Sequence, residues 1–147
     1  MPRLAIFAVC EKVIIDDAGM ASLITLFSKV GVAVPEEGLP SNAVAPKDWA
    51  VFTLWFWEPM DEGKEFDQLV QVLGPDDILF AEVKSKFVME KEKNSRFQVK
   101  MPLVGLPVGQ QGNCTVRLSL MHDGRIVAEP TPILIQIEHQ PTKPGTS

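Results

Sequence analysis

Hydrophobic and polar residues alternate along most of this chain, and a period of two places successive side chains on opposite faces of a β-strand. In residues 113–120, Cys114, Val116, Leu118 and Leu120 fall on one face and polar groups on the other. Residues 96–101 gather Phe97, Val99 and Met101, and residues 133–138 gather Ile133, Ile135 and Ile137. The run ILFAEVKSKFV at 78–88 reads as a strand with Ala81, Val83 and Phe87 inward and Glu82, Lys84 and Lys86 outward. Each pattern is that of a half-buried strand in an antiparallel sheet.

The residues between these runs are turn formers. Asp16-Asp17-Ala18-Gly19, Gly74-Pro75-Asp76-Asp77 and His122-Asp123-Gly124-Arg125 separate apolar stretches, and Asp-Gly supplies the positive φ angles of a type I′ hairpin. Residues 35–48 read as a longer loop. GLPVGQQG at 105–112 contains a proline and leads into a strand, so it reads as a hairpin connection. Residues 20–30 (MASLITLFSKV) admit two readings. A helix would align Leu23, Leu26, Phe27 and Val30, with Gly31 as its stop. The β-branched Ile24 and Thr25 favour a strand paired to residues 4–15 across the DDAG turn. Seven or eight strands without a long helical pattern predict an all-β, two-layer antiparallel β-sandwich, immunoglobulin-like or similar. It occupies residues 1–139 as one domain, and the polar, proline-rich 140–147 form a disordered tail.

The order apolar strand, acidic-Gly turn, then SL-x-x-LF appears as AIFAVCEKVIIDDAGMASLITLFSKV, and a closing hairpin as CTVRLSLMHDGRIVAE followed by ILIQIEH. Over residues 3–139 the chain resembles a family of small uncharacterised bacterial proteins sharing one domain of unknown function. The resemblance implies an all-β sandwich-like domain and brings no catalytic or ligand residues with it.

One run breaks the alternation. AVFTLWFW at 50–57 is apolar at seven of its eight positions, so both faces of that strand need cover. Phe52, Leu54 and Phe56 form an apolar stripe that serves as the core face. The other face carries Trp49, Val51, Thr53, Trp55 and Trp57, hence all three tryptophans. Residues 4–9 are likewise apolar on both faces, which makes them a neighbouring strand. A loop such as 35–48 could cover the tryptophans, a second protein surface could, or they could form a platform for sugar rings. The stripe could equally be the core. The area of three aromatic side chains favours a protein interface at Trp49, Trp55 and Trp57, most economically a homodimer.

Charge and composition narrow the partners. The net charge is −5 and the pI about 5.0, which disfavours nucleic acid and anionic membrane surfaces. No apolar run approaches the ~20 residues of a membrane span. The short LAIFAVC at 4–10 lacks the charged flank of a signal peptide and reads as the first strand. Two cysteines in strand-like runs fit a reduced, cytoplasmic protein, although a Cys10–Cys114 disulfide stays open.

Candidate chemistry is sparse. His122 and His139 lie in a turn and near the tail, where both read as solvated, and no G-x-S-x-G elbow accompanies them. Cys10, Cys114, His122 and His139 lack the paired spacing of zinc ligands. Asp16-Asp17, Asp61-Glu62 and Asp76-Asp77 could offer carboxylates to calcium, but Asp is also an ordinary turn residue. No glycine-rich phosphate loop opens a helix, and residues 90–94 (EKEKN) read as a solvated turn. The expectation is a non-enzymatic module for protein interaction or self-association, without cofactor or metal; the alternative is a carbohydrate- or calcium-binding module.

Overall fold

The computed structural model describes residues 1–89 and 96–141. These form ten strands: β1 (Arg3–Ile15), β2 (Ala21–Leu26), β3 (Lys29–Val34), β4 (Val44–Phe56), β5 (Glu65–Leu73), β6 (Leu79–Val88), β7 (Arg96–Pro107), β8 (Gly112–His122), β9 (Arg125–Ala128) and β10 (Ile133–Pro141). A single 3-10 turn, Pro59–Asp61, is the helical element among them. The chain is all-β and builds two sheets. One has the order β2-β1-β4-β7; the other has β3-β10-β8-β5-β6, with β9 also paired to β8. The strand number exceeds the seven or eight expected, in part because the single strand expected over residues 20–30 is split. Residues 20–34 break at Phe27-Ser28 into β2 and β3, which belong to different sheets. Pro130 and Pro132 separate β9 from β10. Nor is the pairing wholly antiparallel, since β3 lies parallel to β10.

The expected faces hold where one side of a strand is wet. Cys114, Val116, Leu118 and Leu120 are buried, as are Ile135, Ile137, Phe87 and Met101. The Asp-Gly turn is formed as its chemistry requires, with Asp123 at φ 51° and Gly124 at φ 74° between paired His122 and Arg125. Residues 16–20 pair β1 with β2 as a hairpin whose Asp16 Oδ1 accepts from the amides of Ala18 and Met20. Strand β4 starts earlier than expected, at Val44, because Pro46 and Lys47 fit into a bulge between Ala45 and Asp48; a bulge is where a ladder tolerates proline. Residues 105–112 are not a hairpin but a crossing between sheets, since β7 and β8 lie in different ones. The last strand continues through Gln140 and Pro141, paired with Ala33 and Val34. The 90–94 turn and residues 142–147 of the expected tail lie outside the described residues.

The tryptophan face needs correction. Trp55 is 1% exposed, Trp49 2% and Trp57 7% within the single chain. They pack with Phe66, Val70, Leu118 and Ile135 of the other sheet in the main hydrophobic cluster. The interface expected at Trp49, Trp55 and Trp57 is therefore the intramolecular core, and the three tryptophans form no exposed platform. The opposite face of β4 is covered as well. Ala50 and Phe52 form a second cluster with Cys10 and Val13, against which Leu23 and Leu54 pack. Gln98 Nε2, opposite Leu54, donates to Gly19 O at the tip of the β1–β2 hairpin (2.8 Å). The hairpin thus folds over β4, and the four-stranded sheet is strongly curled. Strand β4 is a central strand covered on both faces by its own chain, which is why alternation is lost there.

Among the described residues a buried side-chain network ties the two sheets together. Gln68 of β5 is fully buried, and its Oε1 accepts from Thr53 Oγ1 (2.8 Å) and Trp55 Nε1 (2.9 Å) of β4. Its Nε2 meets only Met101 Sδ, at 3.8 Å. Trp49 Nε1 donates to Gly105 O at 2.8 Å.

Candidate functional site

Three connections converge at one end of the sheets: residues 35–43, the 74–78 turn of the β5–β6 hairpin, and the 107–111 crossing. Each is fixed by local chemistry. Asp76 Oδ1 accepts from the Ile78 amide (3.1 Å), and Asp77 takes φ 63° to close the turn. Val108 N donates to Ala43 O (3.0 Å), which pins the first connection to the third. Gly109 permits their close approach, because a Cβ there would stand 2.4 Å from the carbonyl oxygens of Pro40 and Ser41. Gln110 Nε2 donates to Asp76 Oδ2 (3.1 Å) and ties the second to the third.

The three enclose a groove of about 320 Å³. Val44, Pro75, Ile78, Leu79, Phe80 and Pro107 supply apolar walls, and Ser41, Asn42, Asp76 and Gln110 the polar ones. Ile78 is 65% exposed, and Val44 and Leu79 are about half exposed. Gly105 lets the floor close up, since a Cβ at its φ of 90° would meet Val44 Cγ1 at 2.9 Å and Phe80 Cζ at 3.5 Å. Such a volume is at the low end for ligand sites, and suits a short apolar segment better than a dinucleotide. The sequence held a signal for it: Ile78-Leu79-Phe80 is apolar at three successive positions after a turn, so one side chain must face outward.

The other chemistry-bearing residues are scattered. His122 and His139 are half-buried rather than simply solvated. His122 Nδ1 lies 2.9 Å from Glu65 O with its ring against Phe66, and His139 Nε2 lies 2.7 Å from Val108 O. They flank opposite ends of β8, roughly 30 Å apart at ~3.3 Å per residue. Of the acidic turn residues, Asp16 and Asp76 accept backbone amides as above, and buried Asp61 accepts from the Glu58 amide and pairs with the Met1 amine. Among the described residues no three His, Cys, Asp or Glu side chains gather as a metal site. No helix among them is long and apolar enough to cross a membrane.

Both cysteines are free and buried, in different clusters: Cys10 beneath the hairpin and Cys114 between the sheets. Burial raises both thiols. For Cys10 it outweighs the Lys12 backbone bond and the Lys100 charge; for Cys114, burial and then the Asp76 carboxylate lift it from 9.0 to about 11. Neither thiol is therefore expected to react with Ellman's reagent at neutral pH until denaturant is added. Because the folded-state value of Cys114 exceeds the unfolded one, its contribution to stability is intact below pH 9 and is lost as pH rises toward about 11. Melting curves across that window should fall more steeply for the wild type than for Cys114→Ala. Equal slopes would contradict the assignment.

No protein-family model and no curated protein matches this chain.

Proposed function

We propose that this protein is a non-enzymatic interaction module on an immunoglobulin-like β-sandwich, acting in the cytoplasm. Its end groove takes an apolar segment of a protein partner flanked by basic residues. The sandwich reading is supported by the main cluster, which draws side chains from both sheets, and by the β10-β8-β5 and β1-β4-β7 orders, which parallel the strand arrangement of that fold. Two free, buried thiols fit a reducing compartment. We propose as well that residues 3–139 belong with the small bacterial β domains they resemble.

The groove itself carries the functional proposal. It is apolar, its half-exposed walls are held open by three pinned connections, and among the described residues its one charged lining residue is Asp76. Exposed Asp77 adjoins Asp76, and exposed Glu36 and Glu37 lie on the 35–43 connection. Among the described residues no Lys or Arg lines it. An apolar anchor would fill the floor and flanking cations would complement the acidic connections, which adds specificity and on-rate more than raw affinity. Enzymatic readings lose support because the histidines are held apart on carbonyls and the thiols are buried.

The test is a titration with two fluorescein-labelled peptides that share a Leu-Phe-Leu centre, one flanked by lysines and one by glutamates. The lysine-flanked peptide should bind at least about ten-fold tighter, a difference of about 1.4 kcal/mol, and weaken as salt is raised. Combining Ile78→Ser with Leu79→Ser should cost a further factor of about ten. Equal binding of the two peptides, binding of neither, or an unaffected double variant would refute the proposal.

A further inference from the structure

Five strands have a single partner in the described residues: β2 and β7 in one sheet, β3, β6 and the short β9, which carries Arg125, in the other. An open edge is a template for another strand, and proteins blunt it with charges, lysine or proline. Strand β7 carries Arg96, Lys100, Pro102 and Pro107, and β6 carries Glu82, Lys84 and Lys86. Strand β3 begins at Lys29 and is followed by Pro35. Strand β2, ASLITL, has no charge and no proline. Beside it stand exposed apolar side chains: Met20 at 58%, Ile24 at 41% and Leu26 at 65%, with Ile14 and Ile15 on the adjoining strand.

We infer that β2 is a self-association edge, which pairs antiparallel with β2 of a second copy about a two-fold axis at Ser22. The backbone parity permits this. Asp16 N donates to Met20 O, so Met20 turns its carbonyl toward β1, and alternation then points the peptide groups of Ala21 and Leu23 outward. With the axis at Ser22, Ala21 of one copy faces Leu23 of the other and they exchange backbone hydrogen bonds. On the exposed side, Met20 faces Ile24 at both ends with the small serines between. Two identical strands related by a two-fold axis are self-complementary by construction. No charge on β2 opposes the approach of its copy. Thr25, at φ 55°, interrupts the ladder and limits the paired segment to residues 20–24. The result is a continuous eight-stranded sheet, with the groove of each copy left to its own ligand.

Sedimentation velocity over a concentration series tests this. The wild type should show a reversible monomer–dimer equilibrium. Met20→Lys combined with Ile24→Lys places lysine opposite lysine twice and should give monomer with an unchanged β-sheet spectrum. Hydrogen exchange on the wild type provides a readout independent of the variant: the amides of Ala21 and Leu23 should slow as concentration rises. A wild type that stays monomeric at high concentration, a lysine variant that dimerises as before, or slowing confined to other strands would each overturn the inference.

Discussion

Trp55→Asp is expected to abolish folding, while Phe56→Asp, one residue along the same strand, is expected to be nearly silent. Trp55 is almost wholly buried between the sheets and gives its indole N–H to Gln68, whereas Phe56 is 45% exposed at the end of the face that the hairpin covers. Aspartate at 55 would place an unpaired carboxylate in the core and leave a cavity. A buried charge costs several kcal/mol after relaxation, and truncating a large aromatic costs about 3–5 kcal/mol. Together these rival the ~5–15 kcal/mol stability of a typical domain. Aspartate at 56 remains in contact with water and should shift stability by about 1 kcal/mol or less. Urea unfolding followed by far-UV circular dichroism separates the outcomes: no cooperative transition for the first variant, a near-native midpoint for the second. A soluble, folded Trp55→Asp protein would mean that this face is a surface after all.

The second large effect belongs to Gln68. Gln68→Leu keeps much of the volume but strips the acceptor from both Thr53 Oγ1 and Trp55 Nε1. A buried donor left unsatisfied costs about 1–3 kcal/mol, so a loss of about 2–4 kcal/mol is expected. Adding Thr53→Val removes one of the two orphans and should recover part of it. The coupling in a double-mutant cycle is therefore expected to be favourable and of order 1 kcal/mol. Strict additivity of the two substitutions would show that the tie between β4 and β5 does not act as a unit.

The contrast between Trp55 and Phe56 also marks what the sequence could and could not reveal. Strands such as β8 and β10 bury one face and wet the other, and their patterns name the buried residues correctly. In β4 both faces are covered, by the second sheet on one side and by the β1–β2 hairpin on the other. Alternation then defines two faces and says nothing of what covers each. The hairpin was legible in its DDAG turn, but not its folding back over Phe52, which depends on contacts such as Gln98 to Gly19 across much of the chain. The break at Phe27-Ser28 was hidden because β2 and β3 read as one apolar segment, and only the docking of β3 beside β10 divides them. The groove was least legible. Its walls come from residues 41–44, 74–80 and 107–110, and only the apolar triplet Ile78-Leu79-Phe80 departs from the local pattern.

Occupation of the proposed groove by an apolar segment with basic flanks can be read residue by residue, through amide chemical-shift mapping of the 15N-labelled full chain during titration with the lysine-flanked Leu-Phe-Leu peptide. Saturable shifts clustered at residues 41–44, 74–80 and 107–110, and absent with the glutamate-flanked peptide, are the predicted result. No saturable shifts, or shifts centred on another surface, would contradict it.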